Sequence, residues 1–411
     1  MKRAKPDEAL MGVQGADVGA INHRKYLPLL LCFLLAISNF IGHSAYAATL
    51  PEERADVMYH SYDGGGIQIT GPSVLIRKNI KDKVSVYGNY YVDQITSASI
   101  DVITSGASEY EEERTEYSVG AEYLYDKSSI SFSATQSSEN DYEASTVSFD
   151  ISQEFFGDMT TLSMGYSQGD DTVRKVTDES FEEQASHRKY RVSLDQVLSP
   201  RWMMGLSFEA VSDAGYLNNP YRSARYLSGT DSGSAVYTTE RYPNTRNSDA
   251  VAIRSAYYLP YRASIKGEIR TFSDNWGIEA SNIELRYIQP YQKGWTLQAN
   301  VRSYGQTQAD FYSDLFSFQD SEKTFIARDK EMSEFDSLSL GIGVYYEVPR
   351  KWSSYIDRTT ISLQVDHMRF DYKNFRDARK SMGDDPAYAP GEEPFYELTA
   401  NVIQFFVSVY Y

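Results

Sequence analysis

The 411-residue chain carries 57 acidic and 40 basic residues, a formal charge of −17, and this acidic balance argues against a nucleic-acid partner. Its single cysteine, Cys32, lies near the N-terminus, which excludes disulfides and cysteine-based metal sites in the rest of the chain. The 34 tyrosines and 19 phenylalanines are typical of membrane barrels, whose aromatic girdles lie at the two membrane interfaces.

The N-terminal segment predicts a secretory signal peptide. Arg24 and Lys25 precede an apolar run over 27–41, and Ala45 and Ala47 fit an A-x-A cleavage site. A membrane anchor is the alternative, but the run is shorter than the about 20 residues that span a bilayer. We expect residues 1–47, an N-terminal extension and signal peptide with Met11 as an alternative start, to be removed. Because they hold five basic and three acidic residues, the remaining domain, 48–411, would carry a charge of −19.

After Ala48 no apolar stretch approaches helix-spanning length, and hydrophobicity instead alternates with a period of two residues. In one example Val84, Val86 and Tyr90 lie on one face of a strand, while Ser85 lies on the other. The pattern predicts sixteen strands, or between 14 and 18 given ambiguous boundaries, over residues 55–62, 66–77, 84–95, 115–126, 129–138, 144–155, 160–169, 187–198, 202–213, 249–259, 263–273, 276–289, 295–306, 334–348, 359–372 and 396–411.

The connections between these strands alternate between tight turns and longer polar loops. A glycine-rich turn at 63–66 joins the first two strands. The longest loops are expected near 96–114, 170–186, 214–248, 307–333 and 373–395. Short turns at one end and long loops at the other are typical of outer-membrane barrels.

Alternation alone also fits a soluble secreted β-sandwich, but Greek-key crossings give no reason for short and long connections to alternate. The hydrocarbon of a bilayer offers no partner to exposed backbone N–H and C=O groups, so the first strand must pair with the last. We therefore predict an all-β fold, a closed antiparallel transmembrane β-barrel in the outer membrane of a Gram-negative cell.

The last predicted strand has an unbroken apolar face and ends on an aromatic residue. It resembles the C-terminal targeting strand of outer-membrane barrels, and this resemblance implies recognition by the barrel-assembly machinery. An ordinary edge strand is the alternative. The candidate assembly signal consists of Ile403, Phe405, Val407, Val409 and Tyr411.

The polar faces of the strands carry charges of both signs. Such side chains either line a water-filled pathway or pair across strands and fill the lumen. A ring of one sign would indicate ion selectivity, and no such ring is present. For the residues on the two adjacent strands 263–273 and 276–289, a cross-strand ladder of ion pairs is the simpler explanation. The candidate lumen-lining residues are Arg254, Lys266, Glu268, Arg270, Glu284, Arg286 and Arg302.

Acidic runs fall in the predicted external loops. One includes Glu111, Glu112 and Glu113, and another includes Asp170 and Asp171. Such runs are candidate divalent-cation ligands, but a solvated charged surface is the more common explanation, and no twelve-residue calcium loop is present. We predict no cofactor and no metal.

The three histidines beyond the signal peptide are His60, His187 and His367. His367 and its neighbour Asp366 point to opposite faces of one strand and so cannot act together, and His187 is placed at a loop edge in a surface context. No G-x-S-x-G or H-E-x-x-H motif occurs. We therefore predict that the protein is not an enzyme and keep an outer-membrane hydrolase, of lipase or protease type, as an alternative.

The block over 55–92, which includes MYHSYDGGG at 58–66, GPSV at 71–74 and VSVYGNYY at 84–91, resembles the start of the bacterial family named domain of unknown function 3570. Membership implies an outer-membrane barrel and no known activity, so no site residues carry over. The expected function is a porin-like conduit or a structural barrel whose partners are outer-membrane lipid and, during biogenesis, the assembly machinery.

Overall fold

The computed structural model describes residues 49–97, 100, 110–228, 231–318, 320–349, 355–382 and 386–411, so the predicted signal peptide lies outside the described residues. The strands are β1 (Arg54–Gly64), β2 (Ile67–Ile80), β3 (Val84–Ser97), β4 (Tyr110–Tyr125), β5 (Ser128–Ser138), β6 (Tyr142–Phe155), β7 (Thr160–Arg174), β8 (Glu182–Ser199), β9 (Trp202–Gly215), β10 (Ser223–Ser228), β11 (Asp231–Thr239), β12 (Thr245–Tyr258), β13 (Ser264–Asp274), β14 (Glu279–Pro290), β15 (Trp295–Gln306), β16 (Phe335–Val348), β17 (Arg358–Arg376) and β18 (Phe395–Tyr410). Short 3-10 helices lie at Gln292–Gly294, Asp320–Glu322, Lys330–Met332 and Ala378–Ser381. Among the described residues, no helix is long and apolar enough to cross a bilayer.

Sixteen of these strands form one closed barrel in which each strand pairs with its sequence neighbours, β9 pairs with β12, and β18 returns to β1. The closing pair is antiparallel and runs from Arg54 opposite Tyr410 to Gly64 opposite Ala400. Closure leaves no open sheet edge, so the backbone hydrogen-bonding groups of the wall pair with one another. The predicted closed sixteen-stranded barrel is confirmed, and the sandwich alternative is wrong.

The two ends of the barrel differ. The start of β1 and the end of β18 lie together at what we call the terminal end, where most turns are short. The long connections lie at the opposite, loop end, together with three short ones, the β1–β2 turn at 65–66, the β5–β6 turn at 139–141 and the β13–β14 turn at 275–278. The β1–β2 turn contains Gly65 and Gly66 with φ of 62° and 80°, left-handed values that glycine adopts without a Cβ clash. The glycine-rich turn predicted at 63–66 is confirmed.

The strands extend further at the loop end than alternation predicts. β4 begins at Tyr110 and β7 ends at Arg174, within segments expected to be loops. Beyond the lipid both faces of a strand meet water, so the alternation of apolar residues fades while the backbone ladder continues. The acidic runs at 111–113 and 170–171 therefore lie in strands, and their placement in loops is wrong.

The loop predicted at 214–248 contains a second small sheet, the β10–β11 hairpin, which the alternation pattern does not reveal. Its outer pair is Ser223 opposite Thr239. A two-stranded hairpin is marginally stable alone, so it depends on the other loops for its packing. We call the described residues of the segments 216–244, 307–334 and 377–394 together the loop cap.

The outer face of the barrel is apolar over its middle and aromatic near its edges. On β4, Val119 is 61% exposed, and on β16 Ile342 is 64% exposed. The exposure of large apolar side chains on so many strands would be energetically costly in a water-soluble protein. Aromatic pairs such as Tyr90 with Tyr117, whose ring centroids are 5.0 Å apart, lie towards the loop end, and Trp295 with Tyr346, at 4.5 Å, lies towards the terminal end. This distribution is typical of a lipid-facing barrel surface.

Candidate functional site

The candidate lumen-lining residues share the inward face of β12 to β15. The register places Arg254 opposite Glu268, Glu268 opposite Glu284, and Glu284 opposite Arg302. The adjacent row places Lys266 opposite Arg286, and Arg270 lies one step along β13 on the same face. Their sequence neighbours Ile253, Ile269 and Ile283 are exposed on the outer face. We call this part of the inner wall, continued by inward residues of β8 and β9, the charged wall.

Ion pairs connect the side chains of the charged wall. Arg254 Nε lies 2.7 Å from Glu268 Oε2, and Arg286 Nη2 lies 2.7 Å from Glu284 Oε1. The Glu209 carboxylate forms ion pairs with Lys189 at 2.7 Å and with Arg270 at 2.9 Å. The side chain of Arg254 nevertheless remains 51% exposed, so pairing does not remove it from water.

The ion pairs of Arg254, Arg270 and Arg286 do not run between β13 and β14. Glu268 and Glu284 face each other directly, a like-charge arrangement that is unfavourable for a cross-strand pair. The pairs of Arg254 and Arg270 instead run from β13 towards β12 and β9, and that of Arg286 stays within β14. The small side chain of Ala252, which lies opposite Arg270, leaves room for the guanidinium to reach Glu209.

Short hydroxyl side chains make up most of the inward face of β5 to β7, and Ser118 continues them on β4. Ser133 lies opposite Ser148, and Ser148 lies opposite Ser167. Hydrogen bonds join some of them across strands, as between Ser118 and Thr135 at 2.9 Å and between Ser163 and Ser152 at 3.1 Å. Each is only partly buried, and none is long enough to reach across a sixteen-stranded barrel. We call this face the hydroxyl wall.

Two inward glycines let charged side chains on alternate strands meet. Gly165 lies between Asp150 and Arg191 in the register, and these two side chains pair above it at 2.8 Å. In the same way Gly341 lies between Asn300 and Asp366, whose side chains are 3.0 Å apart. A Cβ at Gly165 would collide with the Asp150 carboxylate, so a larger residue there would force this side chain to move.

The three histidines lie in different settings. His60 points inward, stacks on Tyr91 with ring centroids 5.0 Å apart, and lies 2.7 Å from Asp93. His367 lies opposite Asn401, whose Oδ1 is 2.8 Å from His367 Nδ1, while Asp366 lies on the other face of β17, as predicted. Among the described residues, no histidine is hydrogen-bonded to a serine or threonine hydroxyl, the arrangement that would activate a nucleophile.

His187 is not at a loop edge, and its placement in a surface context is wrong. It lies within β8, with Nε2 2.9 Å from Asp171 and Nδ1 2.5 Å from the fully buried Asp213. Because β7 and β8 extend beyond their predicted ends, both carboxylates reach the imidazole. With both ring nitrogens engaged, this histidine is positioned to hold strands together rather than to accept a proton from a substrate.

One acidic cluster at the loop end combines residues from different segments. Carboxylate oxygens of Glu112, Glu139 and Asp141 lie within 4.8 Å of one another. Burial, together with the charge of Glu112, raises the pKa of Glu139 from 4.5 to about 7. The sequence indicates Glu112 as a candidate cation ligand. Glu139 and Asp141 lie in the turn between β5 and β6, where no sequence pattern identifies them as ligands. The cluster has an oxygen set of the kind that hard cations prefer, and exposed acidic groups commonly gather without an ion.

The candidate assembly signal lies on the outer face of β18. Ile403 and Phe405 are exposed there, and the strand pairs with β17 on one side and β1 on the other. Tyr411 follows the strand, where its hydroxyl donates to the carbonyl of Arg77 at 3.1 Å and Lys78 lies over its ring. Recognition of this segment by the assembly machinery stays a prediction.

Comparison with known proteins gives a family and a fold. Residues 101–357 match the family described as "Protein of unknown function (DUF3570)"; the block at 55–92 that carries the sequence resemblance lies outside this match. No curated protein matches the chain.

Several solved structures resemble the barrel. A bacterial polysaccharide outer membrane secretin is 7% identical, with a TM-score of 0.47, and the alignment covers 88% of this chain and all of the other. OpdK from Pseudomonas aeruginosa is 9% identical, with a TM-score of 0.41 and coverage of 87% and 99%. OmpT of Vibrio cholerae is also 9% identical, with a TM-score of 0.38 and coverage of 90% and 100%. At these identities the likeness concerns the fold alone.

Proposed function

The chain belongs to the DUF3570 family, and on that premise we propose that it is a passive, water-filled conduit through the outer membrane for small hydrophilic solutes. The loop end would face the exterior and the terminal end the periplasm, since outer-membrane barrels keep short turns on the periplasmic side. The proposal assigns no reaction to the chain.

The observation that carries this proposal is the exposure of charged side chains inside the barrel. The side chains of Arg254, 51% exposed, and Arg191, 39% exposed, face inward, and both keep a large accessible surface despite their ion pairs. A packed interior would bury such groups at a large desolvation cost, whereas a water-filled lumen leaves them hydrated. Barrels of sixteen strands are wide enough to hold an aqueous channel.

The hydroxyl wall, which adjoins the charged wall where β7 pairs with β8, supports the same proposal. Its serines and threonines project little, so space remains between them and the charged wall. Hydroxyls and paired charges both favour water and polar solutes over apolar ones. Because the charged groups of both signs are mixed, the conduit should discriminate weakly between anions and cations.

The proposal is tested by narrowing the lumen from the hydroxyl wall. Ser148→Trp places a large ring between Ser133 and Ser167, where only small side chains lie, and is expected to reduce single-channel conductance in planar bilayers. The matched control, Val147→Trp, adds the same ring on the adjacent outward-facing residue and should leave the conductance unchanged. A folded wild-type barrel without conductance would favour a structural barrel and overturn the proposal.

A further inference from the structure

The loop cap crosses the mouth of the barrel. The β10–β11 hairpin leaves the wall between β9 and β12, whereas residues 377–394 leave it between β17 and β18. Six of the sixteen strands, β12 to β17, separate these two points on the wall. Contact between the two segments therefore requires that the cap extend inward over the opening rather than follow the rim.

Backbone hydrogen bonds join the hairpin to the segment over 307–334. Arg241 and Ile326 exchange reciprocal N–H to carbonyl bonds, both of 2.9 Å. On β10, Leu227 N donates to Phe316 O at 3.0 Å, and Phe316 N donates to Arg225 O at 2.9 Å. The hairpin that alone would be marginal is thus joined to a second loop along β10 and two residues beyond the end of β11.

A buried cluster of charges ties all three segments of the cap together. Arg225, with no exposed side-chain surface, contacts Asp314 and Glu393, each at 2.5 Å. Arg328 contacts the other oxygen of Asp314 at 3.0 Å. Burial opposes ionisation of Glu393, but hydrogen bonds from Arg225 and Ser381 lower its pKa from 4.5 to about 2. Glu393 is therefore ionised at physiological pH, and removing its partner Arg225 would leave this carboxylate buried without a compensating cation.

Aromatic side chains seat the cap on the inner wall. Phe375, fully buried at the end of β17, packs with Tyr396, Tyr372 and Phe335. Arg328 of the cap lies 4.4 Å from the centroid of the Phe375 ring. Inward residues Tyr304, Phe370 and Leu398 border this cluster, so β15 to β18 are covered at the loop end. The hydroxyl wall of β4 to β7 lies outside the sector between β12 and β17.

We infer that the loop cap, held together by the Arg225, Asp314, Arg328 and Glu393 cluster, sets the size limit for solutes by closing the β12 to β18 side of the mouth. This inference rests on the proposed function, since a size limit has meaning only for a conducting barrel.

The test compares two glutamates of the same region in the full-length protein. Glu393→Ala removes a buried carboxylate that pairs with Arg225. Glu397→Ala, the control, removes an exposed carboxylate that pairs with Arg369 at 3.2 Å. The readouts are single-channel conductance, the largest polyethylene glycol that enters the channel, and protease cleavage within 216–244. For Glu393→Ala we expect higher conductance, entry of larger polymers and loss of protease resistance, with Glu397→Ala like the wild type.

A second variant keeps the test decisive if Glu393→Ala fails to fold. Removing 223–239 and joining Arg222 to Glu240 through two glycines deletes the hairpin where its ends already meet, since Glu240 N lies 3.4 Å from Arg222 O. It should raise the polymer limit as Glu393→Ala does. If both variants conduct with the wild-type polymer limit, the inference is wrong while the conduit proposal stands. If wild type and both variants fail to conduct, the conduit proposal fails and the inference fails with it.

Discussion

The loop cap and the middle of the lumen use the same charged residue types in opposite ways. In the cap, Arg225 is completely buried between two carboxylates, whereas in the lumen Arg254 pairs with Glu268 and stays 51% exposed. A buried pair has lost its hydration, so each partner needs the other, whereas an exposed pair exchanges readily with water. Burial, rather than pairing, thus separates the part of the molecule that must hold its shape from the part that can contact solutes.

The largest effect expected from this comparison is on local stability. Arg225→Ala should destabilise the cap by about 3–5 kcal/mol, because it leaves Glu393 buried without its cation and Asp314 with Arg328 alone. Arg254→Ala should cost only about 0.2–1 kcal/mol, since the remaining Glu268 is hydrated. Hydrogen exchange of amides in β10 and β11 measures the first effect, and that of amides in β12 and β13 measures the second. Equal losses of local stability at the two sites would contradict this difference between the cap and the lumen.

A second prediction concerns ion preference. Replacing Arg254, Arg270, Arg286 and Arg302 by glutamine removes four positive charges from an inner wall where both signs are mixed. The acidic groups that remain should make the conduit prefer cations, which a shift of the reversal potential in a salt gradient would show. Arg369→Gln, on the outer face beside Asp371, is the control and should produce no shift. No shift in the fourfold variant would mean that these arginines lie outside the ion path.

The smallest effect is expected where the cap meets the rim. Tyr221 of the cap is hydrogen-bonded to Asp141, within the acidic cluster that contains Glu139. Since the pKa of Glu139 is raised from 4.5 to about 7, its ionisation disfavours the folded state, and stability should fall as pH rises from 4.5 through 7. Glu139→Gln should remove this dependence and raise the melting temperature at pH 8 more than at pH 5. An identical pH profile in the variant would exclude Glu139 as the group responsible.

The barrel wall could be predicted because its signal is local. Each transmembrane strand faces lipid on one side and water on the other, so alternation within ten residues specifies both its existence and its orientation. All sixteen predicted strands overlap barrel strands. The errors lie at the loop end, where strands such as β8 continue into water and lose the alternation.

The cap could not be predicted because its interactions are remote in sequence. Arg225 and Glu393 are 168 residues apart, and neither has a neighbouring pattern that identifies its partner. The hairpin strand SARYLS at 223–228 is polar and short, so its pairing depends on Phe316 and Ile326 from another loop. His187 was misjudged for the same reason, since its partners Asp171 and Asp213 come from neighbouring strands whose ends were placed too early.

The account depends on a lumen that is wet inside and a wall that is covered by lipid outside, and single cysteines along β6 test both together. Cys32, the only cysteine of the chain, precedes the barrel and is replaced by serine in each variant to leave a thiol-free background. Cysteines replacing Thr146, Ser148 and Asp150 should react with a charged, water-soluble thiol reagent in vesicles, and those replacing Val147, Phe149 and Ile151 should not. Protection at all six positions would mean a filled lumen, and reaction at all six would mean a barrel outside the membrane; either result would contradict the account.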